Sequence, residues 1–119
     1  MSMHTLKLRI DLGRVTAMGP GKAELLKMII ETGSISASAK RMRMSYRRAW
    51  ELVDTMNRCF TEPLVITSAG GSHGGGAAVT EFGRAILDAY QAIVVKTNEI
   101  ASSEINAITR YLRQPEPNN

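Results

Sequence analysis

The run Ser34-Ile-Ser-Ala-Ser-Ala-Lys-Arg-Met-Arg-Met-Ser-Tyr-Arg-Arg-Ala-Trp50 decides how this chain is read. Ser34 or Ser36 stands where it would cap a short helix running to about Met42, and Ser45 caps a second one reaching about Phe60. A serine ahead of helical spacing supplies an oxygen to the unpaired amides of the first turn. Two helices that cross at a tight break need a small residue at the crossing and apolar anchors beside the turn. Ala39 is the small residue, and Met42 and Met44 are the anchors. The second helix opens with Tyr46, Arg47 and Arg48. In a helix-turn-helix that leading turn enters the major groove, where arginine can donate two parallel hydrogen bonds to O6 and N7 of guanine. Arg43 departs from the pattern, because Gly or Asn accepts a left-handed backbone in such a turn more readily.

Lys40, Arg41, Arg43, Arg47 and Arg48 fall in one short stretch with no acid among them. Side chains of this kind neutralise phosphates for affinity and contact base edges for sequence choice. Two ordinary antiparallel helices with a solvated basic face would share the spacing, but they have no reason to keep acids out. Tyr46 and Trp50 lie one helical turn apart and could both face a groove. Trp50 is expected to pack against the neighbouring helix and Tyr46 to face nucleic acid.

Outward from this stretch, Leu6, Leu8, Ile10 and Leu12 alternate with Lys7, Arg9 and Asp11, which predicts a strand with one buried face that ends at Gly13. Pro20 suits a first helical position. Leu25, Leu26, Ile29 and Ile30 keep helical spacing up to Thr32, and Gly33 supplies the stop. In the helix after Ser45, Ala49, Val53, Met56 and Phe60 form an inward stripe. Leu64 to Thr67 and Ala77 to Val79 predict a strand and its return partner, joined by a glycine-rich loop from Ser68 to Gly76. Thr80 caps a long helix, with Glu81 favourably placed in its first turn. Its apolar face holds Phe82, Ile86, Ala89, Tyr90, Ile93, Ile100, Ile108 and Leu112, and the polar Thr97-Asn98 pair marks a bend or a break.

The expected fold class is therefore mainly α with a small β-sheet, a winged helix-turn-helix with a long C-terminal dimerisation helix. One domain is expected over residues 1–119, with core and wing in 5–80, the long helix in 81–112 and a loose tail in 113–119. That helix carries more apolar surface than three short helices can cover, which points to a partner helix from a second copy.

The 119 residues suffice for one modest core. The net charge of +4 favours acidic partners without choosing among them. Cys59 is the single cysteine, so no internal disulfide forms and a reducing, cytoplasmic setting is expected. The start of the chain lacks a secretion-signal pattern, and no run approaches about 18 apolar residues, so no membrane partner is expected. The glycine loop lacks the lysine and spacing of a nucleotide-binding loop. As a wing it would bring Ser72 and His73 to phosphates. His73 has no Cys, His or carboxylate company suited to a metal, and no cofactor is implied. No nucleophile, acid–base pair or metal set converges, so an enzyme is not expected. The remaining alternative is a winged helix that docks another protein without binding DNA.

The run Gly33-Ser-Ile-Ser-Ala-Ser-Ala-Lys-Arg-Met-Arg-Met-Ser-Tyr-Arg-Arg-Ala-Trp-Glu-Leu-Val-Asp-Thr-Met-Asn57, followed by the Gly70–Gly76 loop and Ala77-Ala-Val-Thr80, resembles the N-terminal domain of ModE-type molybdate-responsive regulators. More distantly it is similar to LysR-type regulators. The resemblance runs from about Leu6 to Leu112. It implies a winged helix-turn-helix that forms a homodimer on double-stranded DNA with two half-sites. On this resemblance and the pattern above, the expected DNA-binding residues are Ser34, Ser36, Lys40, Arg41, Arg43, Ser45, Tyr46, Arg47, Arg48, Ser72 and His73. The family often carries a lysine in the wing. Ser72 and His73 stand there instead, which should weaken the phosphate contact at neutral pH. The chain is expected to lack the family's C-terminal molybdate-binding part, and no oxyanion site is assigned in it.

Overall fold

The computed structural model describes residues 6–68 and 76–113. The elements run β1 (Ile10–Leu12), β2 (Val15–Met18), α1 (Pro20–Thr32), α2 (Ile35–Arg41), α3 (Tyr46–Cys59), β3 (Val65–Thr67), β4 (Ala77–Val79), α4 (Glu81–Ile100) and α5 (Ser102–Thr109). Pro20 opens α1, where a missing amide costs nothing. Gly33 closes it at φ 67°, with its amide on the Ile29 carbonyl. Ser34, Ser45 and Thr80 cap α2, α3 and α4 through side-chain oxygens.

α1 lies at the centre. Leu25, Leu26 and Ile29 are fully buried, and around them pack Ile35 and Ala39 of α2, Ala49, Val53 and Met56 of α3, Val79 of β4, and Leu87 and Tyr90 of α4. β3 and β4 pair antiparallel in register Val65↔Val79, Ile66↔Ala78 and Thr67↔Ala77. The hairpin is fastened to the α1–α2 turn by the Ala77 amide, which donates to the Gly33 carbonyl at 2.9 Å.

Four expectations require correction. The N-terminal strand is shorter than Leu6–Leu12, and its apolar side chains are not buried in the chain: Ile10 and Leu12 of β1 are exposed. The chain reverses at Gly13, at φ 60°, into β2, a strand not expected from the sequence, and burial falls on Ala17 and Met18 there. A two-stranded ribbon at the edge of a small body has one side that no other element covers. In α3 Trp50 faces outward rather than inward, 44% exposed, because the buried face centres on Ala49, Val53 and Met56. The polar pair Thr97-Asn98 lies within α4, and the break falls at Ala101 instead. Within α4 the Asn98 side chain donates to the Val94 carbonyl at 2.8 Å, so the polar residues do not open the helix. Finally, Ala89 is exposed, and the face of α4 buried in the chain is made of Gly83, Leu87 and Tyr90.

The far end of α4 and all of α5 stand away from the body. Ile100 is 86% exposed, and Ile108, Tyr111 and Leu112 are exposed as well. The Cα radius of gyration is 16.8 Å, where a compact chain of this length has about 13–14 Å. Among the described residues no helix is long and apolar enough to cross a membrane.

Two backbone positions carry measurable consequences. Gly83 packs its Cα against the Leu64 carbonyl, and a Cβ there would overlap that oxygen and lie 2.8 Å from Val79 Cγ1. Gly83→Ala is expected to lower stability by about 1–3 kcal/mol through overpacking, against the roughly 1 kcal/mol that alanine ordinarily gains in a helix. A urea midpoint equal to or above wild type would show that the crowding is relieved. Arg43 holds φ 58°, the one described non-glycine residue with a positive φ. A side chain in that conformation costs about 1–2 kcal/mol, so Arg43→Gly is expected to raise stability by about 0.5–1 kcal/mol after the glycine's larger unfolded-state entropy, and the unfolding midpoint with it. A lower midpoint would mean that the arginine makes compensating contacts.

Candidate nucleic-acid interface

Hydroxyl groups set the angle between α1 and α2. The Ser34 amide donates to Thr32 Oγ1 at 3.2 Å, Ser38 Oγ donates to the Ser34 carbonyl at 2.7 Å, and Thr32 Oγ1 lies 2.9 Å from Ser38 Oγ. Ser38 is fully buried, and its hydroxyl is satisfied by these two partners. The Ser34 hydroxyl accepts from the Ala37 amide at 3.0 Å and so caps its own helix, while Ser36 is exposed in the first turn.

α2 and α3 pack on each other, and their small residues Ala39 and Ala49 are both buried in the core. The turn is closed by the Met42 amide on the Ser38 carbonyl, Arg43 on Lys40 and Met44 on Ala39. Met42 and Met44 pack against the core from either side of it. Ser45 Oγ then accepts from the Arg48 amide at 3.0 Å and starts α3.

With α3 buried along Ala49, Val53 and Met56, about 100° of rotation per residue directs the opposite face to solvent. Arg47 and Glu51 lie near the middle of that face. Tyr46 and Trp50 flank it on one side and Arg48 on the other, and all three are exposed. Arg47 Nε donates to Glu51 Oε1 at 3.2 Å across one helical turn, although the arginine side chain is 90% exposed. Arg58 and Asp54 pair in the same way further along, at 2.7 Å. Arg41 reaches back to Glu31 of α1 at 3.4 Å. Lys40, Arg43 and Arg48 have no carboxylate within ion-pair distance among the described residues. Lys22, at the start of α1, titrates below the ordinary lysine range because it is partly buried; the nearby Arg48 charge adds to the fall, while Cys59 and Asp11 oppose it.

The structure thus brings Lys40, Arg41, Arg43, Ser45, Tyr46, Arg47 and Arg48 onto one end of the helix pair, around the N-terminus of α3. Ser72 and His73 lie outside the described residues. Cys59 is half-buried in the last turn of α3, as its position suggests. Among the described residues no three His, Cys, Asp or Glu side chains cluster as a metal site.

One residue that positions the interface escaped the functional reading of the sequence. Asn57 Nδ2 donates to the Val65 carbonyl at 2.9 Å, and its Oδ1 accepts from the Leu64 and Val65 amides at 2.8 and 3.2 Å. An asparagine on the inner flank of α3, shortly before a proline and a strand, is the signal that could have found it.

No protein-family model matches the chain. It is 36% identical over 118 residues to the molybdenum transport protein ModE of Azotobacter vinelandii, covering 90% of this chain and 43% of that protein. With the transcriptional regulator ModE of Haemophilus influenzae it shares 35% over 101 residues, 85% of this chain and 39% of the relative. With the molybdenum-pterin-binding protein MopB of Rhodobacter capsulatus it shares 41% over 86 residues, 72% and 32% of the two chains. The chain spans less than half the length of these relatives. In structure it is similar to full-length LysG, the LysR-type regulator of Corynebacterium glutamicum solved with bound effector arginine, at a TM-score of 0.52 and 20% identity, covering 78% of this chain and 30% of that one. A second LysR family transcriptional regulator gives 0.54 and 15%, with the same coverage. The solved structures establish the fold, a winged helix-turn-helix, and over most of its own length the chain is homologous to part of the ModE proteins.

Proposed function

We propose that the chain is the DNA-reading domain of a cytoplasmic transcriptional regulator, working as a homodimer on double-stranded DNA. The observation that carries this reading is the exposed N-terminal turn of α3. It presents Tyr46, Arg47 and Arg48 on a rigid, serine-capped helix beside Lys40 and Arg43, which have no carboxylate partner among the described residues. Arg47 and Arg48 are assigned to base edges. Lys40, Arg41 and Arg43 are assigned to phosphates, with Ser34, Ser36 and Ser45 along the backbone and Tyr46 at the flank. Ser72 and His73 are assigned to the wing on sequence alone. Molybdenum stands in the names of several relatives, and we assign no molybdate site to these 119 residues. As a domain plan, residues 5–80 form core and wing, 81–112 the dimerisation segment, with its break at Ala101, and 113–119 the tail.

Arg47→Ala and Arg48→Ala are expected to lower affinity for the preferred duplex by about 1–3 kcal/mol each, and to lower affinity for random duplex less. Fluorescence anisotropy with the protein's own upstream DNA and a scrambled duplex, across a salt series, makes the comparison. Equal losses on both duplexes would reassign these arginines to phosphates. Equal and weak binding of wild type to both would favour a protein-docking role.

The homodimer rests on Ile93, Ile100 and Ile108, which lie exposed along α4 and α5. A two-fold pair would set two α3 helices about one DNA turn, roughly 34 Å, or a multiple of it apart. Charged residues at Ile93 and Ile100 are expected to give monomers by light scattering. Wild-type protein that is already monomeric at micromolar concentration would overturn the assignment.

A further inference from the structure

We infer that Glu51 is a specificity-determining residue, which acts by fixing the guanidinium of Arg47 and by keeping a negative charge on the reading face of α3. The inference rests on the proposed DNA-reading role. Glu51 lies one turn along α3 from Arg47 and takes its Nε at 3.2 Å. With Nε engaged, the two terminal nitrogens of Arg47 remain as a parallel pair of donors, the set that matches O6 and N7 of guanine end-on. An arginine so held keeps fewer orientations from which to reach a phosphate. Its neighbour Arg48 has no carboxylate partner among the described residues, and neither do Lys40 and Arg43.

In water such an exposed pair contributes little. Against a duplex its effect divides in two. The carboxylate faces phosphates whatever the sequence, so it weakens all DNA binding alike. Where guanine meets Arg47, the held geometry returns part of that loss, and elsewhere it returns nothing. Glu51 thereby widens the gap between right and wrong duplexes by lowering the floor.

The test uses a duplex enriched from a randomised library by wild-type protein, with its scrambled counterpart. In Glu51→Ala, affinity for the scrambled duplex is expected to rise several-fold, and the ratio of preferred to scrambled binding to fall about fivefold or more. Glu51→Gln, which keeps an acceptor for Nε without the charge, should show the same rise on scrambled DNA and retain part of the ratio. In an Arg47→Ala background, Glu51→Ala should change the ratio no further. An unchanged ratio in Glu51→Ala would reduce the pair to a solvated bridge and overturn the inference. An equal fall in the Arg47→Ala background would overturn it in favour of a carboxylate that accepts directly from cytosine N4. If the wild type enriches no sequence at all, the DNA-reading role itself fails, and the positioning role with it. Thermal midpoints close to wild type in each variant would confirm that folding is intact.

Discussion

The peptide units at Leu64 and Val65 hold three elements to one another. The Leu64 amide donates to Asn57 of α3, and its carbonyl accepts from the Thr80 amide at the start of α4, at 2.9 Å. Thr80 Oγ1 also donates to the Pro63 carbonyl at 2.8 Å, and Gly83 brings the first turn of α4 down onto the same strand. Leu64 is itself fully buried. Leaving such groups unpaired costs about 1–3 kcal/mol each, so the connection is costly to break at any one point. Because α3 is rigid, fixing its C-terminal half at Asn57 also aims its N-terminal turn. Arg47 stands ten residues from Asn57, about 15 Å along the axis, and its direction relative to the β3–β4 hairpin is set by this junction.

The other end of the helix pair is held by polar contacts within the core. Ser38 is buried at the α1–α2 corner, yet its hydroxyl is satisfied by Thr32 and the Ser34 carbonyl. Among the described residues no buried side-chain nitrogen or oxygen lacks a partner. A satisfied buried network confers geometric uniqueness more than net stability. Here it fixes the angle at which α2 leaves α1, and with it the place of the α2–α3 turn.

What could be read in the sequence follows from the range of the interactions involved. Caps at Ser34, Ser45 and Thr80, the Pro20 start and the Gly33 stop are local, and the structure has each where the residue types put it. The positive φ of Arg43 was legible as a residue unsuited to its turn. The basic stretch was legible as composition, but its division into paired and unpaired cations was not, since Arg41–Glu31 joins separate helices. Trp50 misled because an indole at helical spacing resembles a core residue, and only the packing of α3 decides which flank faces α1. β2 was missed because Val15-Thr-Ala-Met18 is too short to show alternation. Asn57 and Gly83 act on a peptide several residues distant, where no periodicity reports them.

Two of the ion pairs near α3 would not impede a polyanion. Arg41–Glu31 and Arg58–Asp54 are exposed on at least one side, and pairs of this kind hold about 0–1 kcal/mol. Each phosphate that displaces one also releases condensed counterions, a gain that falls as salt rises. A net charge of +4 is modest, so long-range attraction has to come from distribution, and the acid-free run from Lys40 to Arg48 concentrates five cations around the α2–α3 turn. The strain at Arg43 is then intelligible as a compromise. Glycine would suit the backbone of that turn better, but it would remove a cation from the turn that leads into α3. Stability given up at a turn in return for charge at a surface is the kind of local conflict expected where a sequence serves binding rather than folding alone.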